Sequence, residues 1–305
     1  SYQVKQFSNI ITELGKAPQW YNDSFYFIDI TATTLHRYDF TEKKLYTAKV
    51  PGFTTIGFMT PVKGTTDEFV ISGDNQLIHL QWNGKSSTVK MIKNFGNPGE
   101  QEIENRFNEG KTDPKGRLHC GTLRMEKYGN AFDVQQGNLY RFDAKTEKFI
   151  VVKSKISVSN GLAWNEKLGK FYYIDTNDPE VKEFDVDKDG NISNEKILIS
   201  FRDCAEKILP DGMTIDAEGN LYVATFSTGK VLKINVKTRK VELEIKLPAQ
   251  QITSCAFGGP NRDILYVTTG SKPLVGPQKH PAGGIFEVSG LGVKGLPVDC
   301  IDLSE

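Results

Sequence analysis

The sequence carries no excess of charge of either sign: 38 Lys and Arg are matched by 38 Asp and Glu across 305 residues. Without a basic field, nothing electrostatic draws the chain to nucleic acid or to an anionic membrane surface. Long hydrophobic runs are missing too, so no membrane span is expected. No signal-peptide pattern opens the chain, although it begins at Ser1 and a removed leader stays compatible with that start. Cysteine is scarce. Cys120, Cys204, Cys255 and Cys300 show neither C-x-x-C nor finger spacing, which speaks against structural zinc. Cys204 and Cys300 fall in loop or terminal segments and form the candidate disulfide if the protein is secreted. N-x-S triplets at Asn22 and Asn191 keep that alternative open but arise easily by chance. The expectation is a cytoplasmic monomer, with an extracellular location as the alternative. Helical periodicity is the last absence: no stretch of about 12 residues sustains it.

What the sequence does have is a repeat. GLAWNEKLGKFYYIDT from Gly161, GMTIDAEGNLYVATF from Gly212, SCAFGGPNRDILYVTTG from Ser254 and APQWYNDSFYFIDI from Ala17 share one pattern. Each reads as an apolar strand, a polar turn and a second apolar strand. GKTDPKGRLHCGT from Gly110 is a fifth copy, and GFMTPVKGTTDEFVIS from Gly57 a weaker sixth. A second strand pair follows in each unit, as in GKVLKINVKTRKVELEIKL. Four antiparallel strands per unit, six times over, predict an all-β, six-bladed β-propeller forming one domain over 1–305. One blade cannot bury both its faces, so blades must pack side by side. The N-terminal run QVKQFSNIITEL and the late GGIFEVSGL should pair and close the ring, removing free sheet edges.

The same register predicts a site. The residues preceding each copy are Lys16, Ile56, Glu109, Asn160, Asp211 and Thr253. They enter the innermost strands and should converge at one mouth of the central channel. Oxygen donors converging in this way suit a hard divalent cation. Other residues have plainer readings. His36, His79, His119 and His280 show no ligand spacing, and His119 reads as wall or core. Trp20 and Trp164 occupy matching repeat positions and read as blade packing. Asp175 reads as a turn cap, and DVDKDGN (185–191) as a hairpin turn rather than a calcium loop.

RFNEGKTDPKGR (106–117), SNGLAW (159–164), FYYID (171–175), PDGMTIDAEGNLYVA (210–224), TSCAFGG (253–259) and GLGVKG (290–295) together resemble the senescence marker protein, regucalcin, gluconolactonase and luciferin-regenerating enzyme family. The resemblance runs in order from about residue 13 to 295. It implies a six-bladed propeller that hydrolyses small lactones with one divalent metal, calcium or zinc. It implies metal ligation by Asn160 and Asp211, with Asp211 also the candidate base. Substrate contacts would come from Arg106, Asn108 and Glu126. The metal would polarise the lactone carbonyl and lower the pKa of a bound water.

The chain departs from that pattern at one position. The family's G-E-x-P segment reads Gly15-Lys16-Ala17-Pro18, so the resemblance puts Lys16 where a third, glutamate ligand is expected. Two units of charge change, each worth about 4 kcal/mol at about 4 Å and an effective dielectric near 20. Glu109 also replaces an aspartate, and Leu123 a methionine. Two functions follow as expectations. One is a metal-dependent lactone or ester hydrolase whose metal site is weakened by Lys16, with Glu109 as substitute carboxylate. The other is a metal-free protein holding an anionic or pigment-like small molecule in the same pocket, with Lys16 and Glu109 among its contacts.

Overall fold

A computed structural model describes residues 1–304. Its strands form six four-stranded antiparallel sheets, each ordered radially from an innermost to an outermost strand. The innermost strands are Gly15–Tyr21, Met59–Pro61, Asn105–Thr112, Ser159–Asn165, Pro210–Ile215 and Ile252–Gly258, which define blades 1 to 6. The propeller expected from the repeat is therefore present. Helix is confined, among the described residues, to three short 3-10 turns.

Burial explains the blades. Second strands such as Ser24–Asp29 and Leu221–Thr225 are buried along their whole length, because both faces of a blade pack on neighbours. Their sequences accordingly run nearly continuously apolar instead of alternating. Outermost strands such as Lys240–Lys246 are mostly exposed. Aromatic rings fill the wedges between blades: Phe25 of blade 1 stacks on Tyr266 of blade 6 with centroids 4.5 Å apart. Each fully buried Phe contributes about 1.5–3 kcal/mol of transfer free energy. The outer hairpins use one device three times. Asp39, Asp143 and Asn235 accept hydrogen bonds from two following backbone N–H groups. Lys43, Glu147 and Arg239 then take positive φ, which turns the chain back. DVDKDGN is such a hairpin turn, with Asp187 accepting from the backbone of Asp189 and Asn191.

Two features position the site. First, carboxylates at the ends of second strands clamp the loops that enter the innermost strands. Asp29 accepts from the N–H groups of Glu13 and Leu14, Asp74 from Thr54 and Thr55, and Asp175 from Ser157 and Val158. Second, the innermost strands of five blades carry a bulge near their start. It falls between Lys16 and Gln19, Phe107 and Glu109, Ser159 and Leu162, Pro210 and Met213, and Ile252 and Ser254. A bulge leaves residues unpaired and re-aims their side chains. Here it frees Asn108, Asn160, Asp211 and Thr253. In blade 1, Ala17 adopts φ 50° and is followed by Pro18, which a regular ladder position would exclude.

The chain ends meet as expected. Gln3–Gln6 pairs antiparallel with Phe286–Ser289 and supplies the outermost strand of blade 6. The residues beyond that strand do something the repeat did not foretell. They cross the far mouth of the channel, bridging Gly295 to Asp216 in blade 5 and Ile301 to Val62 in blade 2. All four cysteines are free. Cys204 lies in the loop entering blade 5 at the site end, whereas Cys300 belongs to this crossing tail at the other, so the candidate disulfide does not form.

Candidate functional site

Five of the six predicted ring positions converge. Lys16 is 2% exposed, and its Nζ donates to Asn160 Oδ1 at 2.8 Å, to the Thr253 carbonyl at 3.0 Å and to Asp211 Oδ1. An ammonium has three protons, and these three acceptors use all of them. Glu109 Oε2 lies 3.6 Å from the same nitrogen and has no hydrogen-bond partner. The sixth position, Ile56, does not join. It is fully buried in the apolar core, and its backbone N–H donates to the Ile30 carbonyl. Blade 2 therefore contributes no polar group to the cluster.

The surroundings fix each partner. Asn160 donates its Nδ2 to Thr176 Oγ1 at 2.7 Å, and Thr176 donates onward to the Pro210 carbonyl. That leaves the Asn160 amide oxygen facing Lys16. Thr176 was not anticipated; its signal is the position directly after FYYID. Thr253 Oγ1 donates to the Gly15 carbonyl, tying blade 6 to blade 1. Asp211 is buried, and burial pushes its carboxyl up from 3.8 to about 6 even though Lys16 pulls the other way. The strands carrying these groups lie very close: a Cβ at Gly212 would run into Ser254.

The expected substrate contacts form an adjoining network. Arg106 is 3% exposed and donates to Glu126 Oε1 at 2.8 Å and to Asn108 Oδ1 at 3.1 Å. Asn108 donates to the Ser159 carbonyl at 2.8 Å. Asn108, not Glu109, is thus the bulge counterpart of Asn160 and Asp211 in blade 3, and Glu109 is the next residue inward. Glu126 lies in the 3-10 turn Glu126–Tyr128 and is largely solvent-exposed. Partial desolvation of its carboxyl raises the pKa, but the Arg106 charge outweighs that and holds it below the usual value. Tyr128, Phe132 and Leu274 are exposed on the mouth-side loops.

The donor set does not fit a divalent cation as it stands, because an ammonium already takes the Asn160, Asp211 and Thr253 oxygens. Among the described residues, no group of three or more His, Cys, Asp or Glu is placed to hold a metal ion. His119 matches its reading as wall or core. It is buried against Trp164 at a centroid distance of 5.0 Å, and burial lowers it to about 4; His36 is lowered likewise.

The SMP-30/gluconolactonase/LRE-like region model matches residues 14–271. The chain belongs to this family. Bovine (Bos taurus) regucalcin is 34% identical over 293 residues, covering 93% of each chain. A luciferin-regenerating enzyme structure superposes with a TM-score of 0.91 at 35% identity, covering 99% of this chain and all of that one. A calcium-binding regucalcin from Agrobacterium tumefaciens has the same fold, with a TM-score of 0.82 at 20% identity over 98% of this chain and 97% of its own.

Proposed function

We propose that this family member is a metal-free small-molecule-binding protein in which the Lys16 ammonium takes the place of the divalent cation. The observation that carries this reading is the saturation of Lys16 by Asn160, Asp211 and Thr253. A metal would have to displace a buried cation from its own ligands, at a cost of several kcal/mol. The ligand meets Arg106. Its guanidinium is buried, yet its carboxylate partner Glu126 is exposed, so an anionic or carbonyl oxygen can take over from Glu126. Exposed Tyr128, Phe132 and Leu274 on loops at the same end suit an aromatic or aliphatic body. This chemistry fits an acidic, partly apolar molecule such as a pigment.

The test is thermal unfolding with calcium, manganese and zinc, because a ligand of the native state raises the midpoint. The midpoint of the wild-type protein should not move at millimolar metal, and lactone hydrolysis should be absent. Lys16→Glu should gain both a metal-dependent shift and metal-dependent hydrolysis. A wild-type midpoint that rises with metal, together with lactone turnover, overturns the proposal. One observation favours the hydrolase as second reading: a buried Asp211 lifted to about 6 has the pKa of a useful general base near neutrality.

A further inference from the structure

The far half of the channel holds a partly enclosed compartment that shares only Glu109 with the mouth site. Its volume is about 300 Å³, and it lies between the Lys16 cluster and the crossing tail. We propose that this compartment is a second binding site, for a compact hydroxylated aromatic molecule.

Three aromatic rings stand in its wall. Trp20 of blade 1, Trp164 of blade 4 and Phe257 of blade 6 line it from separate directions. Trp20 and Trp164 also pack on their blades, against Tyr266 and Phe171, so they present fixed ring surfaces. A cavity of this size takes about one substituted ring.

Several of its polar groups have unmet hydrogen-bonding capacity. Gln19 and Glu109 line the compartment, are more than nine-tenths buried, and each has a side-chain oxygen without a hydrogen-bond partner. Lys111 faces the same space and gives one proton to the Met213 carbonyl at 2.8 Å; its ammonium has two more to offer. A buried acceptor left unpaired is costly, so a ligand that pairs it gains affinity. The unmet groups are acceptors on one side and an ammonium on the other. A hydroxyl answers both, since it donates to a carboxylate or amide oxygen and accepts from an ammonium.

The tail roofs part of the compartment. Gly295 donates to the Arg262 carbonyl, and Ile301 to the Pro61 carbonyl. Between these pins Leu296, Pro297, Val298 and Asp299 cover part of the cavity. Leu296 is nevertheless 50% exposed, so the segment covers the compartment without being buried in it.

The probe is catechol, with benzene and glycerol as comparisons that keep only the ring or only the hydroxyls. Two of the three tryptophans line the cavity, so tryptophan fluorescence reports on it directly, and calorimetry gives the stoichiometry. Catechol should quench saturably, one per chain, and bind at least about tenfold more tightly than either comparison. Ala256→Phe fills the cavity from its wall and should abolish the quenching. Lys111→Met keeps the wall and should weaken catechol about tenfold or more, the loss of one charge-assisted hydrogen bond. If Ala256→Phe does not fold, Lys111→Met decides. The proposal is overturned by no saturable quenching, by equal affinity for the three probes, or by quenching that neither variant changes. Catechol binding that survives Ala256→Phe would place it at the mouth instead.

Discussion

Replacing Lys16 with methionine isolates the contribution of the internal cation. Methionine keeps most of the stem and removes the charge. Asp211 and Glu109 then lose an ammonium that lies in hydrogen-bond contact with the first and 3.6 Å from the second. At an effective dielectric near 20, each attraction is worth about 4–5 kcal/mol before other terms. Removing the ammonium also relieves its own desolvation, which offsets several kcal/mol of the loss. The expected net destabilisation is about 3–5 kcal/mol, as for other buried pairs broken on one side. With an unfolding entropy of about 2.1 cal/mol/K per residue, that lowers Tm by about 5–8 °C.

The pH dependence has a definite sign. Asp211 in the fold has a pKa of about 6, above its unfolded value of 3.8. Its contribution to stability is therefore fully present below about pH 4 and is lost as pH rises through about 6. Without Lys16 the folded pKa rises further. The deficit of Lys16→Met should accordingly be small near pH 4 and full near pH 7.5, and adding Asp211→Asn should recover much of it at the higher pH. Urea unfolding at both pH values measures this. A deficit below about 1 kcal/mol near pH 7.5, or one that the double variant leaves unchanged, refutes the assignment of Lys16 as the cation that holds the cluster together.

Other expectations follow from single contacts. Asp299 is raised to about 6 by partial desolvation and by the nearby Asp113 and Glu166 carboxylates, but the residue is exposed and solvent screens it. Stability should therefore fall only shallowly as pH rises from about 4 to 6, and Asp299→Asn should flatten that slope in urea titrations. Gly212→Ala should cost about 2–3 kcal/mol in chemical denaturation, because its Cβ collides with Ser254, and a paired Ser254→Gly should restore much of the loss. Cys204 is exposed, whereas Cys120 and Cys255 are buried with thiols pushed up by burial. A thiol reagent should modify Cys204 in the native state, and Cys120 and Cys255 only after unfolding.

The blades were legible because the second strands bury both faces and therefore repeat as apolar runs, and because polar turn residues punctuate them. The convergence of Lys16, Glu109, Asn160, Asp211 and Thr253 was legible from the register alone. Ile56 failed because blade 2 keeps an innermost strand of only Met59–Pro61 and no bulge there, so matching position in the repeat did not carry matching direction. Asn108 was displaced from the ring by one residue for the converse reason: a bulge shifts pairing, and sequence periodicity does not register it. The tail over the far mouth left no sign, since its contacts are isolated bridges to distant turns and not a strand pattern of its own. Full use of the Lys16 protons needed coordinates, because it depends on how Asn160 is turned by Thr176.

The pairing of Gln3–Gln6 with Phe286–Ser289 also governs the order of events during synthesis. Gln3–Gln6 leaves the ribosome well before its partner Phe286–Ser289 and waits for it. Until then blade 6 lacks its outer strand, and the ring stays an open arc with unpaired edges at both ends. Such long-range closure slows folding and leaves the nascent arc exposed to association with other chains. Substitutions in these two short strands should therefore reduce the yield of folded protein more than they reduce the stability of the protein once closed.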